Sequence, residues 1–169
     1  MGSSELLADA FGRVREEVHA AVEGLTEEQL AVRLDVDANS IAWLIWHLTR
    51  VQDDHVAGAF GTKQIWPAWK SRFGLAGDDI GYGHNSREVA RVRAPGELLT
   101  GHYDAVHEQT IQLVSTVTDV DLPRIVDERW DPPVTLAVRL VSVISDCLQH
   151  VGQAAFVRGI LLRRVSQAR

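Results

Sequence analysis

The sequence predicts an all-α domain built as a four-helix bundle, with long connections between the second and third and between the third and fourth long helices. Four segments repeat apolar residues every three or four positions, which is the spacing of one helix face. No segment alternates apolar and polar residues as a half-buried strand does. The chain has 169 residues, an ordinary size for one domain, so residues 1–169 are predicted to fold as a single domain.

The first two long helices are predicted at residues 4–22 and 39–60. Gly24 follows the first apolar stripe and Gly61 follows the second, and glycine is the residue that most often ends a helix. Ser40 stands where an N-cap is needed before the second helix. The opening turns of this second helix are apolar nearly all round, which indicates that it lies deep in the bundle.

The third and fourth long helices are predicted at residues 95–117 and 135–165. The connection at 62–94 is rich in glycine, aromatic and polar residues. A connection this long in a compact domain is usually functional or partly helical, and residues 86–92 are predicted to form a short helix. A second connection spans residues 119–134.

Composition excludes several functional classes. The net charge is -6 with both signs interspersed, which disfavours binding to a phosphate backbone, so no nucleic-acid partner is expected. A single cysteine, Cys147, excludes an intramolecular disulfide, and its apolar flanks predict a buried core residue. The N-terminus lacks the pattern of a signal peptide, and no run approaches the roughly 18 apolar residues of a membrane span. A cytoplasmic protein is therefore expected.

Three ionisable residues occupy positions where apolar residues would be expected. His47 lies in the most apolar part of the second helix, and Asp146 and His150 lie four residues apart in the fourth. That spacing places both side chains on one helix face. Two histidines and a carboxylate suit zinc with an open position, or a non-haem iron or nickel site. Spacing alone also allows a hydrogen-bonded core histidine and an ordinary ion pair, because it does not show that His47 faces the other two.

Two segments, residues 39–48 (NSIAWLIWHL) and 146–154 (DCLQHVGQA), resemble the DinB-like superfamily. That superfamily includes mycothiol-dependent maleylpyruvate isomerases and transferases of low-molecular-weight thiols, and the resemblance covers nearly the whole chain. It implies one divalent metal ion held by His47, Asp146 and His150. Many members carry histidine at the place of Asp146, whereas this chain is similar to the isomerase branch, which usually has glutamate there. Aspartate is one methylene shorter, which draws the ion towards the fourth helix or admits a water.

The resemblance implies a metal-dependent thiol S-transferase or isomerase that uses mycothiol or another low-molecular-weight thiol on a small electrophile. A thiol at the metal would be a thiolate, which is the nucleophilic form. Zinc is the first expectation for the metal, with nickel, iron or manganese as alternatives. The resemblance also implies a homodimer, but no apolar stripe in the sequence identifies its interface. A non-catalytic metal-binding or dimeric scaffold and a metal-dependent hydrolase remain alternative functions, because fold does not determine function.

Four further residues are predicted to bind the cofactor or to line the pocket. Asp54 follows the second-helix histidine by two turns, and Gln153 follows the fourth-helix histidine by three residues. Trp66 and Trp130 lie in the long connections, where aromatic residues line pockets or cap the end of a core. For Asp54, a solvated or ion-paired carboxylate is the more ordinary explanation. His84 in the first connection is a candidate fourth ligand or general base.

Overall fold

Four long helices dominate the computed structural model, which describes residues 2–167 and their side chains through residue 164. The predicted domain thus lies within the described residues except for Met1, Ala168 and Arg169. The long helices are α1 (Ser3–Val22), α3 (Ile41–Phe60), α5 (Gly96–Val114) and α6 (Leu136–Gln167), and the short helices are α2 (Glu27–Leu30) and α4 (Ser86–Arg91). Both α3 and α1 pack between α5 and α6. The all-α bundle is confirmed.

Helix α3 is the core helix of the bundle. The Ser40 side chain caps it by accepting the Trp43 amide at 3.1 Å, and Gly61 ends it with a φ of 66°, which is the left-handed region that glycine favours. Residues on every face of its first four turns are buried, including the polar Arg50 and Gln52. The expectation of deep burial is confirmed.

A buried ion pair ties the first long connection to α3. Arg50 Nη1 lies 3.1 Å from Asp53 Oδ2, and both side chains are fully buried. The Asp53 carboxylate also accepts the backbone amides of Ile65 and Trp66, each at 2.8 Å. Burial raises the pKa of Asp53 and lowers the pKa of Arg50, so each charge depends on the other. These hydrogen bonds hold the start of the first connection against α3 in the centre of the bundle.

The two connections contain more structure than the sequence indicated. Two 3₁₀ helices, Trp66–Ala68 and Lys70–Phe73, precede the predicted short helix α4. In the second connection β1 (Ile125–Asp127) pairs antiparallel with β2 (Val134–Thr135). The sequence did not indicate this hairpin, because strands of two or three residues are too short to show alternation.

The predicted helix ends also differ by a few residues. Helix α5 begins at Gly96 rather than Pro95, which is its N-cap, and it ends at Val114 rather than at residue 117. Helix α6 begins at Leu136, one residue later than predicted. Terminal turns contain few intrahelical hydrogen bonds, so apolar periodicity defines their ends poorly.

Helix α6 presents one apolar face to the core. Leu136, Leu140, Val143 and Cys147 are completely buried along it, which confirms the expectation for the cysteine. Among the described residues, the segment Leu136–Arg164 is also long and apolar enough to cross a membrane by length and composition. A core helix of a bundle passes the same test, so this finding is weak evidence for a membrane span.

One histidine of α5 is buried without a hydrogen-bond partner among the described residues. His102 is 1% exposed, and its ring centroid lies 5.3 to 5.4 Å from those of Trp66, Trp69 and Phe73. Neither ring nitrogen has a hydrogen-bond partner among the described residues. Burial lowers the pKa of His102 from 6.5 to about 3. The imidazole is therefore neutral whenever the protein is folded near neutral pH.

This burial predicts acid sensitivity. Between pH 6.5 and about 3 the unfolded chain binds a proton at residue 102 and the folded chain does not, so the free energy of unfolding falls as pH falls. One such group contributes about 1.4 kcal/mol per pH unit. We expect the free energy of unfolding of the variant His102→Phe to depend less steeply on pH than that of the native protein. Urea titrations at several pH values between 6.5 and 4 measure this dependence. An unchanged slope would show that residue 102 is protonated equally in both states.

Candidate metal centre

Three potential ligands meet where α3 packs against α6. His47 comes from α3, and Asp146 and His150 come from successive turns of α6. One ligand atom from each residue lies within 4.8 Å of the others, and His150 Nε2 lies 3.7 Å from Asp146 Oδ1. The sequence could place His47 on one helix and the Asp146–His150 pair on another. The structure shows that the two helices bring them together.

The imidazole of His47 is held in one orientation. Its Nδ1 donates a hydrogen bond to the carbonyl of Ile80, which leaves Nε2 without a proton and available as a ligand. The Trp43 ring stacks on the imidazole with centroids 4.5 Å apart. Burial lowers the pKa of His47, which favours the neutral form that binds metals.

Gly81 allows the connection to approach His47 closely. Its φ is 99°, and a Cβ atom at this position would lie 2.7 Å from His47 Nδ1 and about as close to the indoles of Trp46 and Trp43. A larger residue would therefore be strained and would collide with the ligand. The predictions from sequence missed Ile80 and Gly81 because both act through the backbone, although the Gly-Tyr-Gly run at residues 81–83 was a signal of close approach.

Gln153 orients the second histidine. Its Oε1 lies 3.0 Å from His150 Nδ1 and accepts a hydrogen bond from the N–H there, which directs Nε2 towards Asp146 and His47. Gln153 is one of the residues that the sequence predicted beside the site. The histidines from the two helices therefore present the same nitrogen to a common point.

The environment of the Asp146 carboxylate is suited to a bound cation. Its Oδ2 atom is buried and has no hydrogen-bond partner among the described residues, and an unpaired buried carboxylate oxygen is costly. A zinc ion bound at about 2.1 Å would separate its ligand atoms by about 3.4 Å in a tetrahedral site. The 3.7 Å separation of His150 and Asp146 is close to that value. The three donors fit a divalent ion and leave further coordination positions open.

Tyr82 borders the open side of the site. Its ring lies edge-on to His47 with centroids 5.2 Å apart, and the side chain is 61% exposed. Burial of part of the ring, together with the Asp146 carboxylate, raises the pKa of Tyr82. The phenol therefore stays protonated at neutral pH and can donate a hydrogen bond.

Asp54 lies in a polar cavity beside Tyr82. Its carboxylate accepts hydrogen bonds from His55 at 2.9 Å and from Gln64 at 2.8 Å, and the His55 ring lies 6.5 Å from Tyr82. The cavity measures about 430 Å³ and extends from α3 to the β1–β2 hairpin, where Arg139 also lines it. The hydrogen bonds of Asp54 therefore go to His55 on α3 and to Gln64 in the first long connection.

The charges of this cavity are already paired. Asp127 accepts hydrogen bonds from Arg129 at 2.9 Å and from Arg139 at 2.8 Å. These guanidinium groups, Arg129 foremost, hold the pKa of the Asp127 carboxyl well below its usual range. The cavity therefore offers fixed carboxylates and guanidinium groups rather than one dominant charge.

The remaining predicted pocket residues, Trp66, Trp130 and His84, have neighbours other than the three ligands. Trp66 is buried in the core, where its indole donates to the Gly77 carbonyl at 3.0 Å. Trp130 lies between β1 and β2 and is 64% exposed. His84 accepts from the Trp43 indole at 3.1 Å and contacts Asp79 at 2.6 Å, so both of its ring nitrogens are engaged behind Trp43.

The bundle and the His–Asp–His cluster define a DinB-like protein with a candidate metal centre. The chain belongs to the mycothiol S-transferase family, whose sequence model matches residues 6–162. Its fold is similar to that of a solved structure described as a conserved protein of locus from Enterococcus faecalis. The two share 26% sequence identity and a TM-score of 0.88, over 96% of this chain and 98% of that one. No curated protein shows significant sequence similarity to the chain.

The close approach of Gly81 generates a test of the site. We expect Gly81→Ala to weaken metal affinity by at least about tenfold, since changes in the groups that orient metal ligands commonly cost about 10–100-fold. Gly83→Ala is the matched control, because Gly83 also has a positive φ of 75° but a Cβ there would meet nothing within 4 Å. Isothermal titration calorimetry with zinc measures the metal affinity of both variants. Equal losses in the two variants would show that backbone strain, and not displacement of His47, weakens binding.

Proposed function

We propose that this protein is a divalent-metal-dependent transferase that uses mycothiol or a related low-molecular-weight thiol on a small electrophilic substrate. The observation that carries the proposal is the convergence of His47, Asp146 and His150, whose ligand atoms lie within 4.8 Å of one another. Membership of the mycothiol S-transferase family supports the choice of thiol.

The donor set favours zinc, with nickel, iron and manganese as alternatives. A divalent ion held by these residues would lower the pKa of a thiol that binds to it, so that the thiol reacts as a thiolate. In the transfer, the sulfur forms a bond to an electrophilic carbon, the leaving group departs with its electron pair, and the thiol proton passes to water. An electrophile that adds the sulfur without a leaving group takes up a proton instead.

The protein's own cysteine is not a candidate for the reacting thiol. Cys147 is completely buried, and burial raises the pKa of its thiol, so it remains protonated and inaccessible. The nucleophile must therefore come from a small molecule. A cytoplasmic location is part of the proposal, because the cytosol keeps such thiols reduced.

The residues around the ligands position the reactants. Ile80 and Gln153 hold the two imidazoles with Nε2 towards the common point. Tyr82 borders the open side and remains protonated, so it can donate a hydrogen bond to a substrate oxygen or to a leaving group. We propose that the cavity containing Asp54 receives the polar part of the thiol, because carboxylate and guanidinium groups in fixed positions bind hydroxyl groups well.

Trp130 is proposed to cover that polar part, since it is exposed and directly follows Arg129, which lines the cavity. Trp66 is proposed to act indirectly, because it packs against Trp46 at the base of the site. Both assignments remain predictions.

Metal content tests the proposal first. We expect about one equivalent of a divalent ion in the purified native protein and none in the double variant His47→Ala, His150→Ala, because two of three ligands are lost. The matched control His19→Ala, His107→Ala removes two histidines of α1 and α5 and should keep the metal. Elemental analysis supplies the measurement, and a native protein that takes up no added divalent ion would refute the metal centre.

Thiol binding tests the reaction. Mycothiol should raise the melting temperature of the metal-loaded protein but not of the double variant, and the loaded protein should conjugate the thiol to a chlorinated aromatic electrophile. A metal that stabilises the fold without any response to thiol would instead indicate a scaffold. Hydrolysis of ester substrates without thiol would indicate a metal-dependent hydrolase.

A further inference from the structure

A second cavity lies between the first turns of α3 and the C-terminal half of α6. It is a groove of about 540 Å³. The buried side chains of Leu44 and Val157 line its base, and Gly152 and Phe156 line it from α6. Residues 37–39, which precede α3, complete this apolar groove.

The apolar groove and the polar cavity that contains Asp54 lie on opposite sides of the candidate ligands. Along α3, Leu44 of the groove comes about one turn before His47, whereas Asp54 of the cavity comes about two turns after it. The order is reversed along α6, because the groove residues follow the two ligands of that helix and Arg139 of the cavity precedes them. The candidate metal centre therefore separates a polar cavity from an apolar one.

Gln153 connects the apolar groove to the candidate metal centre. It lines the groove, and its side chain accepts the 3.0 Å hydrogen bond from His150. A molecule in the groove therefore contacts the residue that orients one of the ligands. From His150 to Phe156 the helix rises by about 9 Å, so a molecule that extends from the ligands along the groove is elongated.

The groove presents apolar surface that the fold leaves open. The Phe156 side chain is 65% exposed, although it belongs to a helix whose opposite face fills the core. A Cβ atom at Gly152 would meet nothing within 4 Å, so glycine at this position leaves space above the helix. Apolar walls beside a few convergent polar groups are the usual form of a small-molecule site.

The charges around the groove disfavour an acidic ligand. Asp37 is the one ionisable residue that lines it in the described part of the chain. Two guanidinium groups belong to nearby residues, and both have backbone partners. Arg33 donates to the Ala38 carbonyl at 2.5 Å, and Arg158 donates to the Ala21 carbonyl at 3.5 Å. The one charge on the wall of the groove is therefore negative, which favours an uncharged ligand.

We propose that the apolar groove binds the apolar chain of an elongated, uncharged electrophile whose reacting carbon lies at the metal centre. This inference rests on the proposed function and names its substrate class. The alkyl or aryl chain extends for about 9 Å from the reacting carbon, as far as Phe156. The thiol occupies the polar cavity on the other side, so the two substrates meet at the ligands.

A long-chain terminal epoxide is one such electrophile. The thiolate sulfur forms a bond to the terminal carbon, and the bond between that carbon and the epoxide oxygen breaks. The oxygen keeps the electron pair and takes up the proton that the thiol lost. The alkyl chain stays in the groove throughout, because it takes no part in the bond changes.

NMR titration tests the groove without any reaction. Octanol, an unreactive analogue of the epoxide, should shift the amide signals of Gly152, Gln153 and Val157 in the zinc-loaded protein. Butanol should bind at least about tenfold more weakly, because it has fewer methylene groups to bury. Unshifted signals at these three amides, or equal affinity for the two alcohols, would overturn the inference.

Two exposed aromatic residues supply matched variants. Phe156→Ser should weaken octanol binding by at least about fivefold, because an aromatic wall contributes strongly to apolar contacts. Trp130→Ser should leave octanol binding unchanged and weaken the binding of mycothiol instead. The side chains are 65% and 64% exposed, so both variants should fold. Equal effects of the two substitutions on octanol would contradict separate sites.

Two exposed helical glycines supply a second matched pair. Gly152→Glu should weaken octanol binding by at least about tenfold, because it places a charge in the apolar groove. Gly58→Glu on α3 places the same side chain in the polar cavity and should leave octanol binding unchanged. A Cβ atom at either position would meet nothing within 4 Å. Octanol binding that survives in Gly152→Glu would place the alcohol elsewhere and refute the groove.

Conjugation links the groove to the reaction. With mycothiol, kcat/KM of the native protein should be at least about tenfold higher for epoxyoctane than for epoxybutane, and Phe156→Ser and Gly152→Glu should reduce this preference by raising KM for the longer epoxide. Equal conjugation of both epoxides would overturn the inference and leave the proposed function intact. A protein that binds octanol in the groove but conjugates no electrophile would refute the proposed function, and with it the assignment of the bound molecule as an electrophile.

Discussion

The convergence of three ionisable side chains between α3 and α6 is the constraint on which the rest of the structure depends. Ligand atoms from His47, Asp146 and His150 lie within 4.8 Å of one another, and the buried Oδ2 of Asp146 has no hydrogen-bond partner among the described residues. Such a cluster is unfavourable unless a cation or further hydrogen bonds satisfy it. Ile80 and Gln153 accept hydrogen bonds from the Nδ1 atoms of the two imidazoles, which leaves the Nε2 atoms for an ion.

The first long connection has a structural role in this arrangement. Asp53 fastens its beginning to α3 through the amides of Ile65 and Trp66, and Arg50 reaches the carbonyl of Asp78 further along at 3.0 Å. The connection then passes over His47, where the carbonyl of Ile80 accepts a hydrogen bond from Nδ1 and Gly81 permits the close approach. A buried ion pair therefore helps to position the segment that orients a ligand.

Helix α6 combines three roles on three faces. Its inner face fills the core, its flank towards α3 carries Asp146 and His150, and its outer face exposes several apolar side chains. One helix can serve three roles because successive residues are rotated by about 100° around its axis. The residues of each turn therefore contact different neighbours. The same separation means that a substitution on the outer face leaves the ligands in place.

The sequence by itself determined the four long helices, the burial of α3 and of Cys147, and the identity of the candidate ligands, because periodicity and misplaced polar residues are local signals. Gln153 was also indicated by its spacing from His150. Only the tertiary structure decided that His47 faces the α6 pair, that Ile80 and Gly81 reach it, and that the connection contains a small hairpin. These features depend on contacts between distant segments and on backbone atoms, for which side-chain patterns carry little information. Only the fold showed which apolar residues of α6 face the core and which, such as Val141 and Phe156, are exposed.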